Sequence, residues 1–132
     1  MKSFLLVSNG NKSAWSELLR DYLSELGLLI LTPEALAVSK ISHEPFDLII
    51  IDAGEVEEPL ELVSRLSAAC PDARIVVTNA DPSWEEAREA LRAGAADYFR
   101  QSLNRFELLS IIQQIPGLRA HPEESLSVLS GG

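Results

Sequence analysis

Asp47-Leu48-Ile49-Ile50-Ile51-Asp52 is the stretch on which the rest of the sequence turns. Four consecutive aliphatic residues, three of them β-branched, favour an extended strand. Hydrophobicity that runs on without alternating means that both faces of that strand are buried, as in the centre of a parallel sheet with helices on both sides. Upstream, Phe4 to Val7 reads as a shorter strand closed by the turn chemistry of Ser8-Asn9-Gly10-Asn11. Trp15, Leu18, Leu19, Tyr22, Leu23 and Leu26 then recur at three- and four-residue steps, which predicts a helix with Gly27 as its C-terminal cap. Leu28 to Leu31 is a second strand, and Thr32-Pro33 supplies a cap and a first-turn proline for a short helix through about Ile41.

Downstream, Pro59 opens a helix carrying Leu60, Val63, Leu66 and Cys70 and closed by Pro71-Asp72, and Ile75 to Val77 forms the centre of a fourth strand. Asp81-Pro82 repeats the cap-then-proline signal ahead of Trp84, Ala87, Ala90 and Leu91, with a stop at Gly94. Asp97 to Arg100 is a fifth strand. Asn104 and Glu107 have capping-box spacing for a last helix, whose inward face is read as Leu108, Leu109, Ile112 and Ile115 and whose end is Pro116-Gly117. Five strand–helix units with right-handed crossovers predict an α/β fold: a doubly wound, three-layer, five-stranded parallel sheet of flavodoxin-like strand order 2-1-3-4-5. Residues 1–117 are expected to form this one domain, with 118–132 as a flexible tail or the start of a linker.

The 132 residues suffice for one hydrophobic core, and the 46% hydrophobic content and mean hydropathy of +0.08 suit a globular chain that folds without a partner. No apolar run approaches the roughly 20 residues of a membrane span. The N-terminal apolar stretch is too brief for a signal peptide, so a cytoplasmic location and no membrane partner are expected. A formal charge of −9 opposes contact with a phosphate backbone, so no direct nucleic-acid binding is expected. Cys70 stands alone, which excludes an intramolecular disulfide or cysteine metal cluster and suggests a small buried apolar residue.

In open parallel sheets, ligands bind at the carboxyl ends of the strands beside the point where strand order reverses. Five polar residues are brought there from distant segments: Ser8 and Asn9, Asp52, Thr78 and Gln101. At this point the sequence resembles the receiver domains of two-component response regulators, from Ser3 to about Ile115. In that family a carboxylate ending the third strand accepts a phosphoryl group, and Asp52 stands in the matching place. The family's hydroxyl residue after strand four falls on Thr78, in Ile75-Val76-Val77-Thr78-Asn79-Ala80. Ala93-Gly94-Ala95-Ala96-Asp97-Tyr98 resembles its approach to strand five, with Tyr98 where a switching aromatic commonly lies.

The departures from that resemblance concern the pocket. The family ends strand one with two acidic residues that hold magnesium, where this chain has Ser8-Asn9; its lysine after strand five is matched by Gln101 and the following proline by Ser102. Magnesium prefers carboxylate oxygens, so Asp52, with Gly54 beside it, is a weak metal candidate and no metal or other cofactor is expected unless the conventional receiver chemistry holds. Phosphoryl transfer depends on positioning and on cations that neutralise developing charge, so losing both slows it by orders of magnitude. Glu55, Glu57 or Glu58 could supply a substitute ligand, and Lys12 a substitute positive charge. Asp52 is thus either a phosphoacceptor or a group that organises the loops at its strand end, and Thr78 either a pocket hydroxyl or a plain strand-end residue. Tyr98 is a switch candidate for which simple packing is the preferred reading. Partial core packing is expected of Trp15 and Trp84, a surface position of His43 and His121, and a solvated face of the Glu85–Arg92 run.

The expected function is a non-enzymatic receiver-like signalling domain of a phosphorelay. It would contact a histidine kinase, an output domain or another signalling protein through helix four, strand five and helix five, the face by which a homodimer is also possible. The alternatives are a conventional receiver phosphorylated on Asp52 and, more remotely, a flavodoxin-like protein with a cofactor at the Ser8–Ser13 turn.

Overall fold

The computed structural model describes residues 2–10 and 13–113. Along the chain run β1 (Lys2–Val7), α1 (Ala14–Ser24), β2 (Gly27–Thr32), α2 (Glu34–His43), β3 (Leu48–Asp52), α3 (Pro59–Ala69), β4 (Arg74–Asn79), α4 (Trp84–Ala93), β5 (Asp97–Arg100) and α5 (Arg105–Ile112), with a 3-10 turn at Ala53–Glu55. Among the described residues all strand pairings are parallel, in the order β2-β1-β3-β4-β5. The doubly wound α/β architecture expected from the sequence is therefore the one observed. Every residue of β3 is buried, as its continuous hydrophobicity requires.

Two apolar layers flank the sheet. Leu5, Val7, Ile49, Ile51 and Val77 face α2, α3 and α4 through Ala37, Ile41, Leu62, Val63, Leu66 and Ala90. Phe4, Leu6, Leu48, Ile50 and Val76 face α1 and α5 through Trp15, Leu19, Leu23, Leu108 and Ile111. Alternation along each strand sends neighbours to opposite layers, so the sheet is held from both sides.

Several local expectations are corrected. Gly27 is the first residue of β2, not a helix cap: α1 ends at Ser24, and a Cβ on Gly27 would fall 2.1 Å from the Lys2 carbonyl oxygen across the β1–β2 pair. Thr32 closes β2 and donates to the Pro33 carbonyl, while the first N–H of α2, that of Glu34, is taken by Asn9 Oδ1 at 2.8 Å. The α4 cap is Ser83, whose hydroxyl accepts from the Glu86 N–H, rather than Asp81. Asn104 caps α5, accepting from Phe106 and Glu107, but its own N–H goes to Ser102 Oγ, so the box is half made. The buried face of α5 is Leu108 and Ile111; Leu109 is exposed and Ile112 half-buried. Trp15 is in the core, but Trp84 is 83% exposed. Cys70 is half-buried against the α3 layer. Expectations concerning Lys12, Ile115, Pro116-Gly117, His121 and the 118–132 tail lie outside the described residues.

Candidate functional site

The parallel register sets Asp52 of β3 directly beside Thr78 of β4, and β4 in turn carries β5 so that Gln101 follows its end. Gln101 Nε2 donates to Asp52 Oδ1 at 2.8 Å and lies 3.2 Å from Thr78 Oγ1; the Thr78 hydroxyl itself donates to the Ile51 carbonyl at 3.1 Å. The Gln101 N–H is held by the Asn79 carbonyl. Asp52 is only 6% exposed and Thr78 wholly buried, so the single amide of Gln101 faces a largely desolvated carboxylate. Burial, with the nearby charge of Glu55 adding to it, raises the Asp52 pKa above the usual carboxylate value; the Gln101 amide and the Gly54 backbone N–H oppose that rise.

Since folding raises the Asp52 pKa above 3.8, ionising it disfavours the folded chain, a penalty absent below that pH and complete once pH exceeds the folded pKa. Asp52→Asn keeps an oxygen for Gln101 and cannot ionise. Its thermal midpoint should exceed the wild type's at pH 7, with the gap closing toward pH 4; equal midpoints at both pH values would contradict this account.

Ser8 and Asn9 reach the same end of the sheet, but neither hydrogen-bonds Asp52. The Ser8 hydroxyl accepts from the Gly10 N–H and lines a cavity on the β2 side. Asn9 and Glu34 clasp one another: Asn9 Nδ2 donates to Glu34 Oε1 at 3.0 Å while its Oδ1 takes the Glu34 N–H. The Glu34 carboxylate also accepts from the N–H groups of Glu57 at 2.8 Å and Glu58 at 2.9 Å, just ahead of α3. Burial alone would raise the Glu34 pKa, but these two backbone donors and the Asn9 amide outweigh it and hold the group below 4.5. One carboxylate thus ties together the β1–α1 turn, the start of α2 and the β3–α3 loop, where the helix dipole also favours negative charge. Replacing it by alanine should cost about 1–2 kcal/mol at neutral pH, the worth of charged caps and hydrogen bonds. Because the folded pKa is depressed, that difference, read by urea denaturation, should be present above pH 4.5 and fade as pH falls below it.

Of the substitute ligands suggested by sequence, Glu57 and Glu58 lend their backbone N–H groups to Glu34, and Glu55 lies across Gly10, where an added Cβ would come 1.9 Å from its Oε2. Gly54 sits beside Asp52; a Cβ there would meet Asn79 Oδ1 at 3.6 Å and Asp52 Oδ1 at 3.9 Å. Among the described residues no three His, Cys, Asp or Glu side chains converge as a metal site. Asp52 has the Glu55 charge nearby, but its Oδ1 already accepts from the Gln101 amide, which leaves a poorer oxygen donor set for magnesium than two acidic residues in place of Ser8 and Asn9 would supply.

Tyr98 is held at its hydroxyl, which donates to Glu86 Oε1; the same oxygen accepts from Asn79 Nδ2 at 2.9 Å, and Asn79 Oδ1 takes the Asp81 N–H. Burial and the Glu86 hydrogen bond and charge push Tyr98 up to about 12. Glu86, read from sequence as part of a solvated face, is in fact half-buried and bonded, and Asn79 joins the strand end beside Thr78 to it. Sequence reading also missed Glu34. Its only local sign was a carboxylate in the first turn of α2, and its partners lie 23 to 25 residues away. Asn79 could have been suspected as a second polar residue ending β4.

No protein-family model matches the chain, and no curated protein matches it. Solved structures do. A response regulator from Burkholderia pseudomallei, solved with a phosphorylated aspartic acid, calcium and citrate, is 24% identical over 96% of this chain and 75% of its own, with a TM-score of 0.72. A two-component response regulator from Clostridium difficile is 19% identical over 91% of this chain and 99% of its own, at 0.75. The beryllofluoride-activated NtrC4 receiver domain dimer is 21% identical over 87% and 97%, at 0.72; NtrC4 is from Aquifex aeolicus. Identities of this size speak for the fold, and the fold of the chain is that of the response-regulator receiver domains.

Proposed function

We propose that the chain is a receiver-type signalling domain of a two-component phosphorelay that works by protein contact, without efficient magnesium-dependent phosphorylation and without catalysis of its own. The observation that carries this reading is the engagement of the pocket. Gln101 occupies Asp52, Asn9 is committed to Glu34, and among the described residues no group of three metal-ligating side chains forms at the candidate acceptor. The contact face is the β5 edge of the sheet. There Trp84, 83% exposed, lines a groove with Pro82, Ser83, Ala87 and Tyr98, while Phe106, 79% exposed, stands in the first turn of α5, and Leu91, Leu103 and Leu109 are also exposed. Exposed aromatics such as these favour partner recognition, since such residues dominate binding energy at interfaces. The partner is a histidine kinase, an output domain or another signalling protein in the cytoplasm, and this edge is also one by which the domain could pair with itself, as the activated NtrC4 receiver is described as a dimer.

A second reading, a conventional receiver phosphorylated on Asp52, is favoured by the convergence of Asp52, Thr78 and Gln101 and by the likeness to a structure with a phosphorylated aspartic acid. Incubation with acetyl phosphate and magnesium, followed by intact-mass measurement, separates the two. Negligible phosphoryl adduct is expected; stoichiometric labelling that Asp52→Asn removes would establish the second reading.

A further inference from the structure

Helix α4 brings little apolar bulk to the core. Its one buried residue is Ala90, whereas α1 buries Trp15, Leu19 and Leu23 and α3 buries Leu62, Val63 and Leu66. Its large apolar residues, Trp84 and Leu91, are exposed. A helix that buries so little gains little from packing, and its first turn, ahead of Ala90, is the part most easily opened. What that turn has instead is the half-buried Glu86. A single carboxylate oxygen, Oε1, accepts from two elements of the sheet: the Tyr98 hydroxyl of β5 and, at 2.9 Å, Asn79 Nδ2 at the end of β4. Asn79 is itself fixed, since its Oδ1 takes the Asp81 N–H ahead of α4 and its carbonyl takes the Gln101 N–H. Hydrogen bonds to a carboxylate in such partly desolvated surroundings are stronger than those between neutral groups in water.

We propose that Glu86 is the positioning residue of the contact face: it latches the first turn of α4 onto the ends of β4 and β5, and so fixes the groove that Trp84 and Tyr98 line together. This rests on the reading of that edge as the contact face and adds what holds the face in shape. The walls of the groove come from different elements, Trp84 and Ala87 from α4 and Tyr98 from β5, and the Tyr98–Glu86 bond is a polar link between them. With the latch closed the groove is preorganised, so a partner meets it without the cost of ordering it.

Native-state amide hydrogen exchange of the full chain, read residue by residue, tests the latch without a partner. In Glu86→Ala the N–H groups of residues 86, 87 and 88 should exchange at least about tenfold faster than in the wild type, the scale of one hydrogen bond to a charged group. The amides of β3 and α1 should hardly change. Glu86→Gln keeps an acceptor oxygen and should fall between alanine and wild type. Tyr98→Phe removes the hydroxyl alone, should speed the same amides by a smaller factor, and carries the test if Glu86→Ala fails to fold. Added to Glu86→Ala, Tyr98→Phe should bring no further acceleration, as when two residues act through one bond. First-turn exchange unchanged in Glu86→Ala and Tyr98→Phe, or an acceleration shared equally by β3 and α1, would overturn the proposal. Labelling of Asp52 by acetyl phosphate would remove the phosphorylation-independent reading of the domain, while these rates alone decide the latch.

Discussion

Replacing Ser8 and Asn9 with aspartate and Gln101 with lysine is expected to raise the rate of phosphoryl uptake from acetyl phosphate, in magnesium, at least about a hundredfold, the scale on which single electrostatic stabilisers act in enzymes. The wild-type pocket offers one buried carboxylate and a neutral amide donor at 2.8 Å. Two further carboxylates would meet the oxygen preference of a hard cation, and the lysine would return a positive charge beside the acceptor. There is a structural cost. An aspartate at position 9 still accepts the Glu34 N–H but loses the donor to Glu34 Oε1 and places two carboxylates together. The variant should therefore be less stable while more reactive, measured by urea denaturation and by intact mass. A triple variant that takes up phosphoryl groups no faster than the wild type would mean that something other than these three residues limits the chemistry.

Ile50→Ala is expected to destabilise the fold by about 2–5 kcal/mol, the range for emptying a fully buried aliphatic site. Ile50 has no exposure, lies between Leu6 of β1 and Val76 of β4, and packs in the layer formed with α1 and α5. Against total stabilities of about 5–15 kcal/mol for ordinary domains, that loss should show as a large fall in the urea midpoint. A midpoint within error of wild type would contradict the central placement of β3.

The strand order and the helices were readable because their signals are local: a run of buried aliphatics for β3, three- and four-residue spacing for α1. What failed was decided by distant contacts. A glycine after a helix reads as a cap, but Gly27 answers to the Lys2 carbonyl, which approaches too closely for any Cβ. Thr32 and Asp81 both precede a proline and look like caps, yet Asn9 takes the first N–H of α2 from across the loop and Ser83 sits nearer the start of α4. Trp84 has helical spacing with Ala87, but as the first residue of α4 it projects beyond the core that Ala90 reaches. In the site, Asp52, Thr78 and Gln101 meet because strand ends in such a sheet converge. The commitment of Asn9 to Glu34, and of Tyr98 to Glu86 and Asn79, was invisible for want of any local pattern linking them.

The most direct test of a contact-driven, phosphorylation-independent module is an amide NMR titration, first with magnesium and then with beryllofluoride, following Asp52, Thr78, Gln101 and Tyr98. The account predicts no saturable shift at any of the four. Shifts that saturate at millimolar magnesium and spread on beryllofluoride addition from Asp52 through Thr78 to Tyr98 would contradict it and establish a working phosphorylation switch.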